Sequence, residues 1–294
     1  MPLNKTVLSL LQPIEMTVSP IKPKLKKLFG IRAVIFDVYG TLFTTKSTHS
    51  LLLESEPQSD TTIIEALEEA DFDVFEHDAN LNNLYVEHVK AHYDIRRAEG
   101  IAYPEINICD VWQDFLNELF VKGIIDGDLT ERSIRRVIMC YECKINPVWP
   151  VKRSLEFIRN LQDNNTYAGI IATAQFYTPT IMEILYQNSL ETLGFKRSIC
   201  IWSYEYKHRK PSPVLFNLCQ ERLQTLGIDP QEVIYVGNDM LADIVPARKV
   251  GFKTAFFTGN ANSTRLREDV AECVKTKPTI IFNNFDQLAS CIFQ

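Results

Sequence analysis

The chain has 294 residues, which is enough for one large domain or two smaller ones with a sizeable buried core. Its 31 Lys and Arg residues against 37 Asp and Glu residues make it mildly acidic, which argues against a general nucleic-acid-binding surface. Seven cysteines, an odd number, are not typical of a disulfide framework and favour reduced thiols in a cytoplasmic protein. Membrane association is not expected, because no apolar run approaches the roughly 20 residues that span a bilayer.

Residues 1–30 precede the first clear strand and contain several prolines and a short run of lysines. This composition predicts a loosely structured N-terminal arm that packs on the main body. One basic cluster is too little for stable attachment to a membrane surface.

The most informative pattern is Val-Ile-Phe-Asp-Val-Tyr-Gly-Thr-Leu-Phe at residues 34–43. An apolar run from Ala33 to Phe36 predicts a strand that ends in Asp37. Ligands of open parallel sheets bind at the carboxyl ends of strands, where Asp37 could act as a covalent nucleophile. Gly40 allows a sharp turn whose amides can face an anion. The structural alternative is a strand followed by an ordinary Asp-initiated turn.

Helical periodicity dominates residues 45–146, after a polar, turn-rich segment at residues 44–60. Helices are predicted at residues 61–70, 81–98, 110–121 and 129–140, with no strand between them. His88, His92 and Arg96 form one stripe of the second of these helices. The stripe predicts either a solvated basic face or a surface that binds the distal part of an anionic substrate, with His92 and Arg96 as contacts.

From residue 147 onward, short apolar runs alternate with helical patterns. This alternation predicts an α/β fold with a doubly wound parallel sheet, into which an all-helical domain is inserted after the first strand. The predicted boundaries are residues 31–44 and 147–294 for the core and 45–146 for the insert. Strands are expected at residues 168–172, 199–202, 233–236, 254–257 and 279–282.

Four separated elements, in this order, resemble the motifs of the haloacid dehalogenase superfamily: Asp37-x-x-Gly40-Thr41-Leu42, Thr173, Lys210-Pro211 and the loop at residues 237–243. The resemblance implies a Rossmann-like core, a mobile cap over the site, and Asp37 as the nucleophile. It also implies that Thr41 and Lys210 are catalytic and that Gly40 and Ala174 contact substrate. Superfamily members need a Ser or Thr hydroxyl after the second strand. Either Thr173 supplies it, or Ala172 takes the hydroxyl position and Thr173 that of the following Asn.

The same resemblance implies a Mg²⁺ site, because superfamily members hold this ion with two acidic residues of the fourth element. Asn238 occupies the place of the acid that directly follows the glycine, so we expect Asp239 and Asp243 to be the ligands. Asp37 and the Tyr39 backbone carbonyl complete the predicted set, with waters. The structural alternative is that Asp239 caps a helix and Asp243 is a first-turn acid.

Tyr39 departs from the phosphatase pattern, in which a second Asp at this position protonates the leaving group. General acid catalysis typically contributes about 10²–10⁴-fold, so its loss would slow the departure of an alkoxide. A halide needs no proton, and the 2-haloacid dehalogenases of the superfamily carry Tyr here. Those enzymes are metal-free and use an Arg from the early cap, whereas this chain has no Arg between residues 43 and 95.

The leading prediction is a hydrolase with an aspartyl covalent intermediate, a Mg²⁺-dependent phosphatase of a small, anionic, phosphorylated metabolite. The carboxylates of the fourth element favour it, because buried acids beside Asp37 would repel one another without a cation. The alternatives are a metal-free 2-haloacid dehalogenase and a non-catalytic binding protein that kept the fold. No sequence feature specifies an oligomeric state.

Overall fold

The computed structural model describes residues 3–45, 59–77 and 80–293. The chain divides into two compact units. The helical unit comprises Met1–Gln12 and Lys46–Val148, and the α/β unit comprises Pro13–Thr45 and Trp149–Gln294. Most of the segment predicted to be turn-rich, residues 46–58, lies outside the described residues.

The helices and strands are numbered in chain order. The helices are α1 (Leu3–Leu10), α2 (Asp60–Glu69), α3 (Leu81–Ala98), α4 (Ile108–Val121), α5 (Glu131–Ile145), α6 (Ser154–Asp163), α7 (Tyr177–Tyr186), α8 (Ser203–Tyr206), α9 (Pro213–Thr225), α10 (Val245–Lys249), α11 (Ala271–Lys275) and α12 (Phe285–Ile292). The strands are β1 (Ala33–Phe36), β2 (Phe43–Thr45), β3 (Asp73–Val74), β4 (Ile125–Asp126), β5 (Val148–Pro150), β6 (Tyr167–Ala172), β7 (Phe195–Trp202), β8 (Val233–Gly237), β9 (Lys253–Phe257) and β10 (Ile280–Phe282). No helix among the described residues has both the length and the apolar character needed to cross a bilayer.

The α/β unit is built on a six-stranded parallel sheet in the order β10-β9-β8-β1-β6-β7. Strand β1 lies at its centre, and all four of its residues are fully buried. Phe36 pairs with Ile170 of β6 on one side and with Val236 of β8 on the other, so the three strands end at one level. The chain winds outward from β1 in both directions, which makes this edge the switch point of the sheet. The predicted doubly wound parallel sheet is confirmed.

Successive residues of β1 serve the two faces of the sheet, as the alternation of strand side chains requires. Ile35 belongs to a buried cluster with Phe216 and Leu215 of α9. Phe36 packs on the opposite face, where its ring centroid lies 6.1 Å from that of Phe157 of α6. Phe157 in turn contacts Phe285 of α12. Both faces are therefore covered by helices, as expected for a continuous apolar strand.

The N-terminal residues differ from the predicted loosely structured arm. Residues 3–10 form α1, which packs against α5 of the helical unit and has Val7 almost fully buried. Residues 13–28 belong to the α/β unit, where the Lys24 amide donates to the Ile281 carbonyl at 2.8 Å. Three apolar side chains of this region, Val7, Leu11 and Leu28, are buried, and this burial orders the segment.

The helical unit has an aromatic core formed by Tyr85 of α3, Trp112 and Phe115 of α4, and Tyr141 of α5. It also contains one antiparallel pair, β3 with β4, which the expectation of an all-helical insert missed. Each of these strands has two residues, and a periodicity argument needs a longer window to detect a strand.

Gly169 of β6 lies where the pairing with β7 shifts register. A Cβ at this position would lie 2.6 Å from the Ile199 carbonyl oxygen and 2.7 Å from Ile35 Cδ1. We expect Gly169→Ala to lower the free energy of unfolding by about 1–3 kcal/mol, because the sheet must shift to admit the methyl group. Urea denaturation measures this change. The control is Gly227→Asn, since Gly227 has a positive φ but open space around it and Asn tolerates that backbone. An equal or smaller loss in Gly169→Ala would contradict the steric account.

Candidate active site

Asp37 follows β1 directly, and its amide donates to the Val236 carbonyl at 2.9 Å. The hydrogen bond extends the pairing with β8 by one residue and fixes the direction of the side chain. The carboxylate is 6% exposed. Its Oδ1 accepts a 2.6 Å hydrogen bond from Lys210 Nζ, and its Oδ2 lies 3.5 Å from the Thr41 hydroxyl.

A tight turn after Asp37 positions Thr41. The Val38 carbonyl accepts from the amides of Thr41 and Phe43 at 3.2 and 3.0 Å, and the Gly40 amide donates to the Phe43 carbonyl. Gly40 has φ +83, and a Cβ there would lie 2.5 Å from Asn238 Nδ2. Only glycine meets both conditions. The structure therefore places Gly40, a predicted substrate contact, against Asn238.

Lys210 joins two carboxylates in the buried part of the site. Its Nζ lies 2.6 Å from Asp37 Oδ1, 2.5 Å from Asp243 Oδ1 and 3.3 Å from the Tyr235 hydroxyl. The Tyr235 hydroxyl also lies 3.0 Å from Asp243 Oδ1 and 2.9 Å from the Ile171 carbonyl oxygen. The Lys210 side chain is 4% exposed, so the ammonium has exchanged water for these partners.

The charges of this cluster do not balance, because the Asp37 and Asp243 carboxylates face a single ammonium. Burial raises the pKa of Asp37 to about 7; Lys210 opposes this shift and Asp243 adds to it. Burial by itself would lower the pKa of Lys210, but the carboxylates of Asp243 and Asp37 raise it above its ordinary value. Lys210 therefore stays charged, and burial is the main cause of the raised pKa of Asp37.

The second element lies at the carboxyl end of β6. Ala172 is the last residue of β6 and is fully buried. Thr173 follows at the carboxyl end of the strand, where its Oγ1 accepts from the Lys210 amide at 3.3 Å. Thr173 is thus the hydroxyl-bearing residue at this strand end, and its catalytic role stays a prediction. Ala174, a predicted substrate contact, is buried, and the Ser203 hydroxyl lies 2.9 Å from its amide nitrogen and 3.1 Å from its carbonyl oxygen.

The fourth element is a π-helix over residues 240–244, with Asp239 as its N-cap. Asp239 Oδ1 accepts from the amides of Leu241 and Ala242 at 2.8 and 3.1 Å. Its Oδ2 lies 2.6 Å from Arg267 Nη2. Asp243 Oδ2 accepts from the amides of Asn238 and Asp239 at 3.1 and 2.9 Å. The capping alternative for Asp239 is therefore the one that the geometry matches.

Asn238 is the residue of this loop that the structure brings next to Thr41 and Asp37. Its Oδ1 accepts from the Thr41 hydroxyl at 3.1 Å, and its Nδ2 donates to the Ser263 carbonyl at 2.5 Å. The amide oxygen consequently faces the Asp37 side of the loop. Ser263, which lies after β9, also donates its hydroxyl to the Gly40 carbonyl.

The predicted metal ligands Asp37, Tyr39, Asp239 and Asp243 do not converge as expected. No group of three His, Cys, Asp or Glu side chains within residues 3–45, 59–77 and 80–293 is arranged to hold a metal ion. The carboxylate of Asp239 accepts from main-chain amides and contacts Arg267. The carboxylate of Asp243 likewise accepts from main-chain amides and contacts Lys210. The other oxygens in this part of the site are those of the Asp37 carboxylate, which contacts Lys210 and Thr41, and the Asn238 amide oxygen, which accepts from Thr41. Hard oxygens, few in number and supplemented by water, fit Mg²⁺.

The phenol of Tyr39 contacts the first turn of α7. Its hydroxyl lies 2.8 Å from the Thr178 hydroxyl, and Thr178 is 1% exposed in the first turn of α7. The Gln175 amide lies 3.4 Å from the same Thr178 oxygen. The phenol is therefore fixed by a neutral hydroxyl.

His92 and Arg96, the predicted distal contacts, lie on α3 within the helical unit. His92 Nε2 lies 2.9 Å from Asp114 Oδ2, and Arg96 Nη1 lies 2.7 Å from Glu99 Oε1. His88, the third residue of the stripe, lies 2.8 Å from Glu118 Oε2. Each member of the stripe thus has an acidic partner inside its own unit.

Sequence reasoning missed Tyr235, Thr178, Ser203 and Ser263 as parts of the site. Tyr235 left a readable signal, since it is the one hydroxyl-bearing residue in the apolar run of β8. The other three lie on elements that carry no motif, and only the tertiary structure brings them to the site.

A family model described as haloacid dehalogenase-like hydrolase matches residues 31–251, which confirms the predicted membership. No curated protein matches the chain. A 2-haloacid dehalogenase from Pseudomonas syringae pv. Tomato DC3000 is 13% identical, with a TM-score of 0.54, over 89% of this chain and 97% of that one. A HAD phosphatase from Thermococcus onnurineus is 17% identical, with a TM-score of 0.48, over 88% of this chain and 97% of that one. At 13% identity the likeness to the 2-haloacid dehalogenase shows the fold alone.

The raised pKa of Asp37 makes a prediction about stability. The unfolded chain loses this proton near the ordinary pKa of 3.8 and the folded chain near 7, so stability falls as pH rises between these values. We expect the change in the free energy of unfolding caused by Asp37→Asn to be more favourable at pH 8 than at pH 5, by up to about 3 kcal/mol, since one pKa unit corresponds to about 1.4 kcal/mol.

Urea denaturation in the presence of a chelator, at both pH values, measures this difference. Asp163→Asn, at an exposed position of the same unit, is the control and should change stability by about 0.5 kcal/mol or less at either pH. If Asp37→Asn changes the free energy of unfolding by the same amount at both pH values, Asp37 is already ionised at pH 5.

Proposed function

Because the chain belongs to the haloacid dehalogenase-like hydrolase family, we propose that it is a Mg²⁺-dependent phosphatase that acts on a small anionic substrate through a covalent intermediate on Asp37. The observation that carries this proposal is the excess negative charge of Asp37 and Asp243 over Lys210, beside the oxygen of Asn238. A buried cluster with this charge favours a further cation.

Asp37, the Tyr39 carbonyl and Asn238 would hold Mg²⁺ together with waters. The ion would supply charge neutralisation for a phosphoryl group, as Mg²⁺ does in phosphoryl transfer generally. Asp243 is then a partner of Lys210 instead of a ligand. With this assignment the metal site has one carboxylate, which is within the number that Mg²⁺ uses in proteins.

The chain's own residues divide the chemistry among them. A carboxylate oxygen of Asp37 attacks phosphorus, the bond from phosphorus to the leaving oxygen breaks, and its electron pair leaves with that oxygen. Thr41 and Thr173 have hydroxyls that can donate to phosphoryl oxygens, and Lys210 offsets negative charge at the nucleophile. Water then attacks phosphorus and releases phosphate, which restores the carboxylate.

The leaving group defines the substrate class further. The 2.8 Å contact between the hydroxyls of Tyr39 and Thr178 supports a mechanism in which position 39 gives no proton to the leaving oxygen. A strongly basic alkoxide then leaves slowly. We therefore propose substrates whose leaving groups are weak bases, such as acyl phosphates and aryl phosphates.

The same contact favours a second candidate, the hydrolysis of a 2-haloacid, because a halide leaves without a proton. In that reaction Asp37 displaces halide from carbon, and water hydrolyses the resulting ester. The absence of Arg from residues 43–95 of the sequence argues against it, since the resemblance to dehalogenases implies an Arg in that region that receives the halide.

We expect Asp37→Asn to lower the turnover of p-nitrophenyl phosphate and acetyl phosphate by at least about 10³-fold, because the amide is a poor nucleophile. Phosphate release in the presence of Mg²⁺ measures the rate, and circular dichroism checks that the variant is folded. Asp163→Asn should retain the parent rate. Asp37 would lose its assigned role if the Asn variant kept a rate within a few-fold of the parent.

We expect the parent rate to fall steeply from p-nitrophenyl phosphate to phenyl phosphate to an alkyl phosphate. Tyr39→Asp should raise the alkyl rate most, by up to about 10²-fold, because it supplies a proton donor. Tyr39→Phe, which keeps the ring, is the matched control and should leave the slope of the series unchanged. Equal parent rates across the series would mean that another group donates the proton. Bromide release from 2-bromopropionate in a chelator, without phosphate release from any ester, would support the dehalogenase instead.

A further inference from the structure

The π-helix of the fourth element determines where Asp243 lies. The amides of Asp243 and Ile244 both donate to the Asp239 carbonyl, at 3.0 and 3.2 Å. The extra residue in this turn folds Asp243 back over the end of β8. A Cβ at Gly237 would lie 2.5 Å from Asp243 Cβ, Cγ and Oδ2. The Asp243 carboxylate thus rests directly on the glycine, within reach of Lys210.

The first residue of this turn is held from outside by Arg267. Arg267 Nε lies 3.3 and 3.1 Å from the two oxygens of Asp239, and its Nη2 lies 2.6 Å from Oδ2. Main-chain bonds run beside the ion pair, because the Met240 amide donates to the Arg265 carbonyl and the Arg265 amide donates to the Asn238 carbonyl, both at 2.9 Å. The segment after β9 therefore holds residues 238–240 by both backbone and side chain.

We propose that Asp239 and Arg267 are positioning residues, whose ion pair holds the π-helix that sets Asp243, and through Asp243 the ammonium of Lys210, against Asp37. The contacts form one continuous series: Arg267 to Asp239, the capped turn to Asp243, Asp243 to Lys210, and Lys210 to Asp37. Misplacement of a catalytic group by about 1 Å can cost about 10²-fold in rate. The kinetic part of this inference rests on the proposed function.

This role differs from metal ligation in what it predicts. A ligand at position 239 would need an oxygen directed at the ion, whereas both Asp239 oxygens accept from protein donors. Loss of a ligand weakens Mg²⁺ binding. Loss of a positioning residue leaves Mg²⁺ binding in place and lowers the rate of the chemical step.

The test compares Asp239→Ala, Asp239→Asn and Arg267→Gln. We expect Asp239→Ala to lower kcat for p-nitrophenyl phosphate by about 10–100-fold, with KM and the Mg²⁺ dissociation constant from calorimetry changed less than about threefold. Asp239→Asn keeps the cap acceptor but removes the ion pair, so it should recover only part of the loss. Arg267→Gln should resemble Asp239→Asn, and the double variant should be no worse than either single one, because both remove the same ion pair.

Arg153→Gln is the matched control. Like Arg267, Arg153 has a positive φ. It pairs with an aspartate, Asp286, at the surface of the α/β unit. It should leave kcat and Mg²⁺ binding unchanged. A rise of tenfold or more in the Mg²⁺ dissociation constant of Asp239→Asn, with Arg267→Gln unaffected, would overturn the proposal in favour of a metal ligand.

Crystal structures of Asp239→Ala and Arg267→Gln separate this inference from the proposed function. We expect residues 240–244 to shift and the Lys210–Asp243 contact to lengthen in both variants. If Asp239→Ala is insoluble, Arg267→Gln, which leaves the cap intact, gives the same test. An unmoved Asp243 in Arg267→Gln would refute the positioning role whatever the substrate. A parent protein that hydrolyses no phosphate would refute the phosphatase while the structural result still stands.

Discussion

The buried ammonium of Lys210 is the group on which the rest of the site depends. It lies between Asp37 and Asp243, so that two carboxylates from different strand ends stay ionisable within the core. Removal of one member of a buried ion pair typically costs about 3–5 kcal/mol, because the remaining charge has lost both water and partner. The carboxylates that follow β1 and β8 can therefore lie close together in the core only with Lys210, which comes from the loop before α9, between them.

Two glycines make that arrangement sterically possible. Because Gly40 has no Cβ, the Asn238 amide can lie directly against it, and the Asp243 carboxylate lies against Gly237 for the same reason. In each case a neighbouring side chain occupies the space that a Cβ on the glycine would fill. Close approach, more than backbone freedom, explains Gly237, whereas Gly40 needs both.

The polar residues around the cluster leave its charge uncompensated. Tyr235 and Thr173 orient Lys210, Thr41 and Ser263 orient Asn238, and none of these groups carries a charge at neutral pH. Burial is the main cause of the raised pKa of Asp37, and Asp243 adds to it while Lys210 opposes it. A buried carboxyl group with a perturbed pKa at the end of a strand is typical of a functional site.

The sheet could be predicted from the sequence, because apolar runs such as Ala33–Phe36 that alternate with helical patterns are typical of buried parallel strands. The positions of Asp37 and Lys210 could also be predicted, since they stand at strand and helix ends that this alternation locates. The sequence did not determine which residue of Gly237–Asp243 faces Asp37. Spacing allowed Asp239, but the π-helix adds one residue to the turn, so Asp239 caps it while Asn238 meets Thr41. Only the tertiary structure could decide this, because Arg267 and Ser263, which hold the two side chains, come from a segment more than 20 residues further along the chain.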